Sequence, residues 1–331
     1  MPRELAATSA GCANWFIKRS RLTGSCVTSM TDADSTCRLY TAAMLAELAG
    51  VDAWRIRNWH RRGWLRASEQ QHRVSYFDFA EIAVARQLAQ LHHAGATPKQ
   101  IHAQLQNLQR AAPNVSRPMA ELGVVLDGRQ ILLRSDAGLI EPSGQKRFEF
   151  GGGEDQAEQQ PATILSPAQF LSAGGATSTP AATLADWSME LDEQGDLAGA
   201  MDLLRAALAA NGPSAEWSFQ LAEMLYRQGD LSAARERYYV AIELDEDFVE
   251  ARANLGCVLA ELGQSELAIA ALEGAILHHP NYADAHFHLA RLLDDAADAT
   301  AAERHWQRFL ELAPESPWAE EAVQRLEAAR L

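Results

Sequence analysis

Small and apolar residues recur every 34 positions through the C-terminal half of the chain. Gly195, Gly229, Gly263 and Ala297 form one row, and Ala200, Ala234, Ala268 and Ala302 a second. Ala207, Ala241 and Ala275 form a third, broken by Phe309, and Leu221, Leu255 and Leu289 a fourth. A fixed period of this length with small residues at fixed phase predicts paired antiparallel helices stacked into a solenoid. Small residues let the paired helices cross closely, the glycines turn the chain between them, and Pro280 and Pro314 end second helices. Gln194-Gly195-Asp196 and Gln228-Gly229-Asp230 repeat almost verbatim. The phases place units at 181–214, 215–248, 249–282 and 283–316. Trp187 replaces the leucine of the fourth row in the first unit, and Ala297 replaces glycine in the last. The segment from Trp318 to Leu331 is predicted to be a closing helix over the final apolar face.

The pattern before residue 110 differs. Thr41 is placed to cap a helix whose apolar stripe is Met44, Leu45, Leu48 and Ala49, and Gly50-Val51 makes a tight turn. Asp52 is placed to cap a second helix, Ala53 to Arg62, stopped by Gly63. Helix, short glycine turn and helix predict a helix-turn-helix, whose second helix enters the major groove. That second helix carries Trp54, Arg55, Arg57, Asn58, His60, Arg61 and Arg62, with Ile56 and Trp59 as its buried face. Arginine pairs bidentately with guanine and asparagine with adenine. Arg66 to Ser75 is polar and basic, and predicts a short wing that points Arg73 and Tyr76 at a phosphate backbone. Asp78 precedes a third helix bearing Phe79, Ile82, Leu88 and Leu91, and Thr97-Pro98 opens a fourth.

The runs Leu45-Ala46-Glu47-Leu48-Ala49-Gly50-Val51, Ile56-Arg57-Asn58-Trp59 and Arg62-Gly63-Trp64-Leu65 follow one another in the order of the mercury-resistance-regulator (MerR) winged helix-turn-helix. Phe79-Ala80-Glu81-Ile82 and Gly95-Ala96-Thr97-Pro98 sit where that family has its third and fourth helices. The resemblance implies DNA binding through the second helix and the wing, by Trp54, Arg55, Arg57, Asn58, Arg61, Arg62, Arg73 and Tyr76. Asn58 departs from the family, which usually has an aromatic pair at this point. The fourth helix stops before Ala112-Pro113, and no cysteine follows the head until Cys257, so neither metal sensing nor the usual dimerisation helix is carried over.

Charge sharpens the division. Residues 38–110 hold ten basic and five acidic side chains, whereas residues 181–331 hold ten basic and 28 acidic. An acidic body of this strength repels DNA, so any nucleic acid binds residues 38–110. Residues 1–37 read as a disordered leader with no signal peptide. Residues 111–150 read as a small β element, with a hairpin at Val124-Val125-Leu126 and Gln130-Ile131-Leu132-Leu133 around Asp127-Gly128. Leu139-Ile140 and Phe148 to Phe150 are candidate further strands. Residues 151–180 read as a flexible linker, with one short helix at Ser166 to Ala173.

The C-terminal units, residues 181–331, resemble the tetratricopeptide repeat. That resemblance implies a protein-binding groove formed by the first helix of each unit, lined by Phe219, Glu223, Asn254, Cys257, His288 and Arg291. No run approaches a membrane span. His92-His93 and His278-His279 lack ligand spacing, Gly151-Gly152-Gly153 lacks the lysine of a phosphate loop, and no catalytic constellation is visible. No metal, cofactor or catalytic residue is therefore expected. The expected protein is mostly α: a winged helix-turn-helix, a small β element and linker, and an α-solenoid of about four repeats. The expected function is a cytoplasmic, nucleoid-associated DNA-binding regulator. Its repeats would bind a protein, a peptide or a second copy. A protein scaffold with a vestigial head is the alternative.

Overall fold

A computed structural model describes residues 39–113, 115, 117–122, 124–135, 138–141 and 181–329. The leader, the Phe148 to Phe150 strand, the linker and the Ser166 to Ala173 helix all lie outside the described residues.

Helix α1 (Ala42–Ala49) begins at Thr41, whose side chain accepts from the Met44 amide, and ends at Gly50 with φ +70°. Helix α2 (Ala53–Arg61) follows after a short turn. Ile56 and Trp59 are buried, as the spacing of apolar positions requires. Strands β1 (Glu69–Gln71) and β2 (Val74–Tyr76) form the wing, with Gln71 opposite Val74. Only His72 and Arg73 remain for the turn, and both take the left-handed region at φ +45° and +62°. This is the two-residue hairpin that matches strand twist, built here without glycine. Tyr40 and Phe77 pair beside it, exchanging two backbone hydrogen bonds of 2.8 Å.

Helix α3 (Phe79–His93) buries Ile82, Val84, Ala85, Leu88 and Leu91. Helix α4 (Pro98–Ala111) opens with a full capping box between Thr97 and Gln100 and with proline in its first turn. A one-turn helix, α5 (Pro118–Glu121), precedes strands β3 (Val124–Asp127), β4 (Gln130–Ser135) and β5 (Gly138–Ile140). These form an antiparallel sheet in chain order, with Val124 opposite Leu133 and Leu133 opposite Ile140.

The repeats are helix pairs: α6 (Ala181–Glu193) with α7 (Leu197–Asn211), α8 (Ala215–Gln228) with α9 (Leu231–Leu244), α10 (Val249–Glu261) with α11 (Ser265–His278), and α12 (Ala283–Asp295) with α13 (Ala299–Leu312). Helix α14 (Ala319–Ala328) follows. The Gly-Asp dipeptide performs two tasks. Glycine ends the first helix in the left-handed region, at +88° for Gly195 and +89° for Gly229. Aspartate then starts the second: Asp196, Asp230 and Asp298 each accept from the amide three residues on. Ala297 keeps the turn at φ +60° despite its side chain.

Ala200, Ala234, Ala268 and Ala302 are wholly buried. Phe309 fits its row because the last unit has an aromatic core. The Phe287 ring lies 5.2 Å from Phe309, 5.4 Å from Trp306 and 5.0 Å from Trp318.

The described residues fall into two compact units. One comprises 39–57, 66–79 and 213–329, so α1, the wing and the repeats from α8 onward belong together. The other comprises 58–65 and the described residues of 80–212.

Candidate nucleic-acid interface and repeat groove

Within the first unit, Arg57 on α2 meets two repeat carboxylates. Its Nε donates to Glu250 Oε1 at 2.8 Å, and its Nη1 donates to Glu223 Oε1. Its guanidinium carbon stands 5.5 Å from the centre of the Phe219 ring. Only 13% of the Arg57 side chain is exposed. Burial disfavours its charge, but the two glutamates outweigh burial and raise its pKa, so it stays protonated.

The wing is held in the same way. Arg73 pairs with Asp245, and its Nη1 stands 4.0 Å from Glu216. The Tyr76 hydroxyl lies 2.6 Å from Nε2 of His279. Burial, then Asp284, Glu250 and Glu69, push the phenol pKa up; burial, then His72, lowers that of His279. A protonated phenol and a neutral imidazole therefore share this hydrogen bond. At the start of α1, Thr41 Oγ1 donates to Asp284 at 2.9 Å. Burial raises the Asp284 pKa to about 7, with Glu250 adding to the rise while Thr41 and Arg57 oppose it.

Trp54 is buried between two guanidinium groups, 4.7 Å from Arg55 and 4.0 Å from Arg227, and its Nε1 donates to Asp52 at 3.3 Å. A cavity of about 130 Å³ beside it is lined by Arg57, Glu223, Asn254, Cys257 and His288.

Of the residues named from sequence for the groove, Glu223, Asn254, Cys257 and His288 thus meet around one cavity. Asn254 bonds to the Tyr238 hydroxyl. Burial and Arg291 lower the His288 pKa to about 4, which leaves it neutral. Phe219 is packed against Tyr238 and Phe248, with ring centres 5.8 and 4.7 Å away. Arg291 lies 3.6 Å from Glu321 and 5.9 Å from the Phe287 ring centre.

Within the second unit, Asn58 donates to Glu193, and Arg62 Nε lies 3.1 Å from the same carboxylate oxygen. Arg61 Nη1 lies 3.0 Å from the Met189 sulfur. Asn58 is 2% exposed, and its Oδ1 has no partner. Trp54, Arg57, Asn58, Arg61, Arg62, Arg73 and Tyr76, all named from sequence for DNA, thus each touch a residue of the repeats. Sequence reasoning missed their counterparts Glu250, Asp245, Asp284, His279 and Glu193. The one signal for them was the opposed charge of the two halves, which has intramolecular pairing as a second consequence.

Among the described residues no three His, Cys, Asp or Glu gather as a metal site, and no helix is long and apolar enough to cross a membrane.

A helix-turn-helix with a two-stranded wing, followed by helix pairs of 34-residue period, defines a winged helix-turn-helix head and an α-solenoid. Family comparison agrees in both parts. Residues 40–108 match the MerR HTH family regulatory protein model, and residues 186–247 and 254–317 match the tetratricopeptide repeat model. The chain therefore carries a MerR-type head and tetratricopeptide repeats, neither of which is an enzyme family. No curated protein matches.

Similar solved structures include MamA, at 24% identity over 43% of this chain and 81% of that one, TM-score 0.41. A tetratricopeptide repeat protein from Parabacteroides merdae is 24% identical over 45% of this chain and 60% of that one, TM-score 0.43. YrrB, a tetratricopeptide repeat protein with an unusual peptide-binding site, is 16% identical over 50% of this chain and 82% of that one, TM-score 0.41.

Proposed function

We propose that the chain is a non-enzymatic, DNA-binding transcriptional regulator of the cytoplasm, associated with the nucleoid. Residues 38–110 read double-stranded DNA, and the repeats bind a protein or peptide partner. The observation that carries this reading is the MerR-type match over residues 40–108, which coincides with the helix-turn-helix and wing. When the head is on DNA, α2 lies in the major groove. Arg57 and Asn58 reach base edges there, with Trp54, Arg55, Arg61 and Arg62 around them. Arg73 and Tyr76 hold the phosphate backbone from the wing. A second copy bound through the repeats would present two heads to two half-sites.

The test is retention of random duplex DNA at several salt concentrations by the full chain and by its Glu223→Gln/Glu250→Gln variant. Binding by either, with a log-log salt slope of about −0.9 per neutralised phosphate, is the expected result. On a selected site, Arg57→Ala is expected to weaken binding by about 1–3 kcal/mol. Retention by neither protein at low salt leaves the alternative, a protein scaffold with a vestigial head. The contacts of Arg57, Arg73 and Tyr76 with the repeats favour that second reading.

A further inference from the structure

Arg57 of α2 and Arg73 and Tyr76 of the wing contact the repeats from α8 onward, and they do so with matched chemistry. Arg57 directs two of its donors at Glu223 and Glu250 and lays its guanidinium near Phe219. Two carboxylates and an aromatic ring converging on one guanidinium form an arginine site. Arginine fits it better than lysine, because the planar fork reaches both acids at once and also meets the ring. While Glu223 and Glu250 hold these donors, the guanidinium cannot use them on a guanine edge. Arg73 is turned to Asp245 and Tyr76 to His279. The acids around them repel DNA.

We propose that the repeat groove is an arginine-recognition site whose resident ligand is Arg57 of the chain's own DNA-reading helix. The protein then does not read DNA until a partner segment bearing an arginine takes Arg57's place. This inference rests on the DNA-binding reading of the head. DNA and the groove compete for the same side chains, so DNA binding and groove vacancy are linked: a partner that empties the groove of α2 raises DNA affinity, and DNA raises partner affinity by the same factor. The partner is a protein segment with an exposed arginine beside apolar residues, the composition of α2 itself. Acidic segments are excluded, because Glu223 and Glu250 would meet them with like charge.

The experiment uses the full chain. Amide hydrogen exchange at residues 54–57 and 73–76 is measured beside affinity for a random duplex pool, in wild type and in Glu223→Gln/Glu250→Gln. The expected result is faster exchange in the variant and at least tenfold tighter DNA binding. Equal exchange with equal DNA affinity would overturn the proposal. Faster exchange with no DNA binding by either protein would show the helix docked in the groove but the head unable to read DNA, which ends the DNA-binding reading and the competition with it. Should the double variant unfold, Asp245→Asn tests the wing contact alone, and a gain of about threefold or more in DNA affinity is expected; no gain counts against the proposal.

The arginine site has its own assay. A peptide copying residues 53–62 is expected to bind an Arg57→Ala chain, in which the resident arginine is gone. Its affinity is expected to fall at least tenfold when Glu223 and Glu250 are also changed to Gln. An unchanged affinity would mean that those two acids do not form the site.

Discussion

Arg57 of α2 and Glu250 of α10 form an ion pair of 2.8 Å with both side chains largely shielded from water, 13% and 12% exposed. Glu223 supplies a second carboxylate to the same guanidinium. Removing one carboxylate leaves the buried guanidinium less fully compensated, which destabilises more than the intact pair stabilises. Glu250→Ala is therefore expected to lower unfolding free energy by about 2–4 kcal/mol. The Arg57→Ala/Glu250→Ala double variant is expected to lose less than the two single losses added together. Urea unfolding of the four proteins measures this; additive losses would mean that the pair contributes nothing as a pair.

Ala297 holds a left-handed backbone at φ +60°, where the three earlier units have glycine at φ +88°, +89° and +74°. A Cβ there is strained by roughly 1 kcal/mol. Ala297→Gly is expected to stabilise the protein by about 0.5–1 kcal/mol, even after the added freedom of the unfolded chain. Gly229→Ala, where a Cβ would meet no atom within 4 Å, is expected to destabilise by a similar amount through the backbone alone. Thermal unfolding of both variants checks the pair, and a change of the same sign in both would contradict it.

Gly256 on α10 has no turn to make. A Cβ on it would lie 2.7 Å from Leu272 Cγ on α11. Gly256→Ala is expected to cost about 1–3 kcal/mol by overpacking, despite alanine's better helix propensity. Adding Leu272→Ala is expected to relieve the clash and recover part of that loss. If Gly256→Ala melts at or above the wild-type temperature, the two helices are able to separate without penalty.

Asp284 gives stability a pH dependence. Burial first, then Glu250, hold its carboxyl near 7 against an ordinary 3.8, while Thr41, Tyr282 and Arg57 favour its charged form. Tyr76 also lies within its field. A raised folded-state pKa stabilises the protein fully below the unfolded value, and the benefit is lost as pH rises toward 7. Wild type is expected to lose about 2–4 kcal/mol more than Asp284→Asn between pH 4 and 7.5. Parallel stability curves for the two proteins over that range would mean that Asp284 titrates normally.

Most of the local structure was legible in the sequence because it rests on local physics. Thr41, Gly50 and the Thr97-Pro98 start act within a single helical turn, and they cap helices as their chemistry requires. The 34-residue rows carried the solenoid, because each row repeats one contact between neighbouring helices. The α5 turn was missed: four residues are too few for a periodic signal.

The candidate site divides differently. Residue types singled out Arg57, Asn58, Arg73 and Tyr76 as recognition groups, and the resemblance to tetratricopeptide repeats gave Glu223, Asn254, Cys257 and His288 as groove residues. Only the tertiary structure decided that Arg57 and Glu223 bond to each other across 166 residues of sequence, and Thr41 and Asp284 across 243. Helix caps and repeat periods are short-range relations, and the order of residues specifies them. Which acid an arginine meets depends on how separate elements fold back on one another. Charge composition states only that opposite charges are present, not where they meet.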